Sequence, residues 1–436
     1  MEICCHGGTS KWMLAVIYND GSPRIVKMPI PKILPDHVLV KIYAAGANPA
    51  DALSVFSDRQ FDWSIFHSLT QKTVKSCVPG FDFSGVVVEV YKDPKQNPKP
   101  KGVNAMVCPM SGNPEPDLSC TMSREDFHAP PREETQSKRA PYFKVGDEVY
   151  GTVPAFSGTF CEYQVVPTSQ LTLKPKSLSF VEAAATPYTG LTCLQAFHFG
   201  HVSKDSHLLV IGCSGGTGHF AVQYAKRLIN VNRVVGICGT KNVDFVKNEM
   251  GADHVIDYRT QNWQLELQKE LELFGPFDCV LDCVTSNKAL DIPVSYEDYI
   301  RQDLVSNKKG HDLLLRGKYV RLAGPPSTWA EPKSTNSVIG GLNLDKSDLF
   351  WVRISNTREQ LETLTDAIEN HGLRPVISHE LALGEEGVKK AFEVLRGRHT
   401  RGKVVLNLEK ADEKIVAEEI KPVIISSKEK LAALFV

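Results

Sequence analysis

The 436-residue chain predicts an α/β fold in which a β-rich N-terminal part precedes a parallel sheet covered on both faces. Three observations carry this expectation. The first 90 residues hold runs of β-branched residues bounded by Pro, Gly and Asp. From Ser206 onward, short apolar strands alternate with amphipathic helices. The first of those strand-to-helix turns, VIGCSGGTGHF (210–220), is a near match to the dinucleotide fingerprint G-x-G-x-x-G.

In chain order, HVLVKIYAAGA (37–47) and FSGVVVEVY (83–91) are the clearest early strands. Residues 91–141 then turn proline-rich and poor in large apolar groups, so they predict a long exposed loop. This loop carries Cys108, Cys120 and His128, whose spacing fits no zinc pattern. Strands resume at FKVGDEVYG (143–151) and GTFCEYQVV (158–166), and 179–199 reads as one helix. The alternating series follows: strands at 207–212, 233–239, 254–258, 277–284 and 317–324, with helices at 219–229, 242–252 and 261–274. A polar insertion occupies 291–316. One more helix (380–398) and strand (402–408) precede a charged tail.

Composition bounds the function. Apolar residues make up 42% and charged ones 23%, ordinary for a globular protein. A net charge of -1 gives no general attraction to nucleic acid or to an anionic membrane. The eleven cysteines are scattered and form no C-x-x-C, which suits reduced thiols. No apolar run reaches membrane-spanning length, and no secretory or mitochondrial leader pattern opens the chain, so a cytoplasmic location is expected.

The glycine loop has the context its chemistry requires. Gly215 leaves room for a pyrophosphate to approach the backbone, and Gly218 allows close helix–strand packing. The N–H groups of Gly216 and Thr217, with Ser214 before them, can then point at phosphate oxygens. Cys213 stands where the pattern has its first glycine. At the end of the second strand, where an NAD site places an acid, GICGTKN (236–242) offers Thr240 and Lys241 instead. These attract a 2′-phosphate, and Tyr258 at the next strand end adds a phenol. The expected cofactor is NADPH.

Motifs through most of the chain resemble the medium-chain dehydrogenase/reductase superfamily, in its zinc-free quinone-oxidoreductase-like branch of the reticulon-interacting-protein type and related fungal enzymes. They are AAGANPAD (44–51), PGFDFSGVVVEV (79–90), FKVGDEVYG (143–151) and SGTFCEYQVV (157–166). KPKSLSFVEAAATPYTGLT (174–192), IGCSGGTGHFAVQYAK (211–226), MGADHVIDY (250–258), FDCVLDCV (277–284) and RGKVVLNL (401–408) continue the series. The resemblance implies a GroES-like β-barrel catalytic domain over 1–185, carrying the 91–141 insertion and completed by 370–409. A Rossmann domain over 186–369, with the 291–316 insertion, and a tail over 410–436 would complete the chain.

It also implies site residues. Asn48 and Thr192 match positions close to the nicotinamide, and Gly324, Phe350 and Lys403 match positions near the cofactor. Zinc-dependent relatives hold catalytic metal through a cysteine and a histidine where this chain has Asn48 and Phe81, so no metal site is expected. Tyr188 and Tyr43 are candidate proton donors, each with packing as the plainer role. The expected reaction is hydride transfer to a small-molecule quinone or α,β-unsaturated carbonyl. A trans-acting enoyl reductase on a carrier-bound substrate and a non-catalytic NADPH-binding protein fit the same residues. A homodimer through the Rossmann edge strand is implied by the resemblance, with no nucleic-acid partner and no transmembrane segment.

Overall fold

A computed structural model describes residues 12–19, 22–51, 78–91, 142–154, 157–284, 295–305, 313–322, 349–350 and 352–410. Most of the proline-rich loop, with Cys108, Cys120 and His128, lies outside them, as do Gly324 and the charged tail.

The N-terminal strands are β1 (Trp12–Asn19) and β2 (Ser22–Pro29), which pair as a hairpin, then β3 (His37–Ala47) and β4 (Asp82–Val90). They are followed by β5 (Glu148–Thr152), β6 (Tyr163–Pro167) and β7 (Leu171–Leu173). Two helices come next, α1 (Phe180–Ala184) and α2 (Pro187–Phe199). The single helix expected over 179–199 is thus divided. Pro187 has no N–H to continue the ladder of α1, and it suits the first turn of a new helix. Ser179 and Glu182 close a reciprocal capping box at the start of α1.

The alternating region gives β8 (His207–Ile211), α3 (Gly216–Tyr224), β9 (Arg233–Cys238), β10 (His254–Asp257), α4 (Trp263–Phe274) and β11 (Phe277–Asp282). The helix expected over 242–252 is a 3₁₀ turn (Thr240–Asn242) followed by a π-helical turn (Phe245–Met250). The polar insertion contains a helix, α5 (Tyr296–Val305), whose Tyr296 ring packs 4.6 Å from Trp263. Then come β12 (Leu315–Leu322), β13 (Leu349–Phe350), α6 (Arg358–His371), β14 (Ile377–Ala382), α7 (Glu385–Arg396) and β15 (Lys403–Asn407).

Strands β8 to β13 form one parallel sheet in the order β10-β9-β8-β11-β12-β13. Every residue of β8 is buried, as a strand covered on both faces requires. The order reverses between β8 and β11, and ligands of such sheets bind in the crevice opened there. The second sheet runs β14-β15-β3-β4-β5-β7, with β6 on β3. The chain therefore returns to its beginning: β15 pairs antiparallel with β3, Leu406 opposite Ala45. The two sheets are tied by Tyr150 of β5, fully buried, whose hydroxyl donates to the Leu361 carbonyl of α6 at 2.8 Å.

Helix α4 is held on its sheet by Glu270, which is 3% exposed. Arg233 meets it as a fork, Nε and Nη2 each at 2.8 Å, and His254 contacts the same carboxylate. Against the cost of burial, His207, His254 and Arg233 together hold the Glu270 carboxyl well below its usual range. Removing one member of a buried pair strands the other, so Glu270→Gln should cost about 3 kcal/mol. A lowered urea midpoint at unchanged slope checks this.

Candidate active site

Immediately after β8, Gly212 takes a left-handed conformation (φ +73°), and a Cβ there would also stand 2.7 Å from Val284. The tight turn is made by Gly212 rather than by the next residue, which is why Cys213 is acceptable. The Cys213 side chain is buried beneath the loop, 2.7 Å from where a Cβ on Gly236 would stand. At Gly218 a Cβ would lie 2.2 Å from the Gly212 carbonyl, so helix and strand meet without a side chain between them. Gly215 differs: the nearest atom to its Cβ position is the Gly212 oxygen at 3.5 Å, and that side is otherwise open. Helix α3 starts at Gly216, and the N–H groups of its first turn have no carbonyl within the helix to bond. Ser214, by contrast, is buried and accepts from Asn242 Nδ2 at 3.1 Å, which fixes the loop to the end of β9.

The loop is stitched to the returning segment. Gly402 N donates to the Ser214 carbonyl at 2.9 Å, and Lys403 N donates to that of Val376 at 2.8 Å. His219, fully buried in α3, lies between these pieces. Val376 N donates to its Nε2 at 3.1 Å, so the proton sits on Nδ1 and goes to the Gly215 carbonyl at 2.9 Å. Burial pulls the imidazole down to about 4, leaving it neutral.

Beneath the loop lies a buried polar cluster. Lys403, 3% exposed, directs its ammonium to Asn48 Oδ1 (2.6 Å), Asp82 Oδ2 (3.3 Å) and the Ala47 carbonyl (3.3 Å). Asn48 Nδ2 donates to Asp82 Oδ2 at 2.9 Å, and Tyr188 N donates to Asp82 Oδ1 at 2.7 Å. The backbone N–H of Asn48 donates to Asp51 at 2.7 Å. Burial raises both carboxyls, Asp51 to about 8, while the Lys403 ammonium and the Asn48 donors pull them back. The Lys403 stem runs under the glycine loop, its Cδ 3.3 Å from the Cβ position of Gly216. One side chain thus links the loop to the pair Asn48 and Asp82.

Phe81 is apolar and packs 5.6 Å from the Tyr188 ring, while the Asn48 oxygen faces an ammonium. Thr192 donates its hydroxyl proton to its own helix, at the Tyr188 carbonyl (2.6 Å). Tyr43 stacks on Phe180 with ring centres 4.7 Å apart. Tyr188 is half-buried, and burial with two nearby carboxylates raises its phenol, so it stays protonated. The Phe350 ring packs against Phe199, at the C-terminal end of α2.

At the end of β9, Lys241 and Thr240 are exposed beside Gly239, and Tyr258 closes over it. Asp257 points inward and is held by the Thr260 hydroxyl (2.7 Å), the Arg259 N–H (3.0 Å) and the Thr240 hydroxyl, which keep its carboxyl low. Motif reading missed Asp82, Asp51, His219 and Asn242. An acid next to Phe81 in an apolar run was the one available signal for Asp82.

The His219 geometry fixes a pH dependence. The folded state refuses a proton that the unfolded chain takes up near pH 6.5, so wild-type stability should fall as pH drops from 6.5 to about 4. His219→Gln should lose about 2 kcal/mol at neutral pH and show a smaller fall over that range. Thermal unfolding at stepped pH checks both expectations.

Comparison with known proteins agrees with this architecture. A family described as alcohol dehydrogenase GroES-like domain matches residues 34–176, and one described as zinc-binding dehydrogenase matches residues 250–406. The NADPH-dependent alkenal/one oxidoreductase, chloroplastic, of Arabidopsis thaliana is 26% identical over 422 residues, spanning 93% of this chain and 82% of that protein. The NAD(P)H oxidoreductase RTN4IP1, mitochondrial, of Homo sapiens is 28% identical over 279 residues, 61% of this chain and 66% of that one. The solved quinone oxidoreductase from Coxiella burnetii shares the fold with a TM-score of 0.60 at 22% identity, covering 91% of this chain and all of its own. A GroES-like sheet, a dinucleotide sheet reversing at β8 and these matches lead to one statement: the chain belongs to the medium-chain dehydrogenase/reductase superfamily, in its quinone-oxidoreductase-like branch.

Proposed function

We propose that the protein is an NADPH-dependent reductase that delivers hydride to a quinone or an α,β-unsaturated carbonyl without zinc. The observation that carries this reading is Lys403, which runs from the phosphate loop to Asn48 and Asp82. It sets an ammonium, rather than a metal donor set, beside the cofactor cradle. The names of the Arabidopsis and human relatives support the cofactor and the acceptor class.

When bound, NADPH supplies the hydride. The first-turn N–H groups of α3 would hold its pyrophosphate, and the open side of Gly215 lets the phosphate reach them. Lys241 and Tyr258 would receive the 2′-phosphate. Asn48 and Lys403, locked by Asp82, would fix the floor beneath the nicotinamide, and Thr192 keeps an oxygen lone pair for its amide. The Tyr188 phenol, kept protonated, is placed to hydrogen-bond a developing oxyanion. A cytoplasmic homodimer paired along the β13 edge is part of the same proposal. Among the described residues no helix is long and apolar enough to cross a membrane.

Two measurements test the reading. NADPH oxidation is followed with quinones, enals and enoyl thioesters, before and after exhaustive chelation. Turnover on quinones or enals that survives chelation is expected. Tight NADPH binding with no turnover on any acceptor would overturn the enzyme, and activity restored only by added zinc would overturn the metal-free mechanism. The second measurement uses Gly215→Val, a residue in extended backbone with open space at Cβ. This variant should fold with an unchanged Tm yet lose at least tenfold in NADPH affinity, about 1.4 kcal/mol.

A further inference from the structure

The end of β9 holds more cationic chemistry than Lys241. Arg259 follows Tyr258 at the end of β10, and a Cβ on Gly239 would stand 3.3 Å from Arg259 Nε and 3.5 Å from Tyr258 Cε1. Both side chains therefore lie over the last residue of the second-strand turn, where the ribose 2′ position of a bound dinucleotide falls. The backbone there is firmly held. Tyr258 N donates to the Cys238 carbonyl at 3.1 Å, and Arg259 N donates to Asp257 Oδ1 at 3.0 Å.

Asp257 is the carboxylate at this strand end. The Thr260 and Thr240 hydroxyls and the Arg259 N–H occupy it, and it is 6% exposed. It is therefore not presented to a ribose hydroxyl. The same arrangement uses up the proton of the Thr240 hydroxyl, which removes one of the donors expected for a phosphate. The guanidinium, exposed and 5.2 Å from the centre of the Tyr258 ring, is carried at the mouth of the site.

We propose that Arg259 is the specificity-determining residue for the 2′-phosphate, taking its oxygens in a charge-assisted fork beside Lys241. A planar guanidinium matches two phosphate oxygens at once, which a lysine ammonium does not. An uncharged ribose hydroxyl gains nothing comparable from it, so the residue discriminates rather than merely binds. This inference rests on the NADPH reading above.

The test uses the full chain and cofactor fluorescence to obtain Kd for NADPH and for NADH with wild type, Arg259→Gln and Arg259→Lys. Competition by 2′,5′-ADP and by 5′-AMP isolates the phosphate. Arg259→Gln should weaken NADPH and 2′,5′-ADP by about tenfold or more and leave NADH and 5′-AMP unchanged, with Arg259→Lys between. Equal weakening of NADPH and NADH would mean that Arg259 serves the adenine or the loop, and would overturn the inference. So would a wild type that selects NADPH and keeps that selectivity in Arg259→Gln, with the cofactor reading intact. A wild type that binds both cofactors equally would overturn the NADPH reading and this inference with it.

Discussion

A buried ammonium must find oxygen, and Lys403 finds it on two strands laid down more than 300 residues earlier in the chain. Asn48 at the end of β3, Asp82 at the start of β4 and the Ala47 carbonyl surround it, where solvent cannot reach. Breaking such a pair by removing one partner costs about 3–5 kcal/mol, because the remaining charge stays buried. This requirement holds β15 in the N-terminal sheet and sets the height of the glycine loop above Asn48. The stem of Lys403 passes under Gly216, so the glycine loop and the Asn48–Asp82 pair are registered by one residue.

The glycine loop is held from its other side by neutral groups. His219 carries its proton on Nδ1, bonds the Gly215 carbonyl and accepts from Val376, while Gly402 reaches Ser214. These contacts join the parallel sheet to the segment that crosses back to the first sheet. The glycine loop and the returning segment are therefore held in one arrangement by direct hydrogen bonds.

The two ends of the proposed cofactor site are built differently. Around Lys403, charge is buried and paired. At the end of β9, Lys241 and Arg259 are exposed and the carboxylate of Asp257 is buried and satisfied. Buried pairs suit a position that must not move during reaction. Exposed cations suit recognition of a dianionic group that arrives from water.

Periodicity and the turn residues determined much of the fold by themselves. The apolar strands from His207 to Asp282, the glycine loop and the absence of an acid after Cys238 were all legible, because each depends on local backbone geometry or on residue type at fixed spacing. The division of 179–199 at Pro187 and the helix inside the polar insertion were not read, since short elements there are stabilised by packing such as Tyr296 on Trp263. For Cys213 the sequence raised a question that only the structure answered, by giving the turn to Gly212. Lys403 and Asn48 were named singly as site candidates. That they meet over Asp82, with His219 clamping the loop and Asp257 taken up by Thr260, Thr240 and the Arg259 N–H, was decided by tertiary structure alone. Hydrogen bonds between residues hundreds of positions apart leave no periodic trace in the chain that makes them.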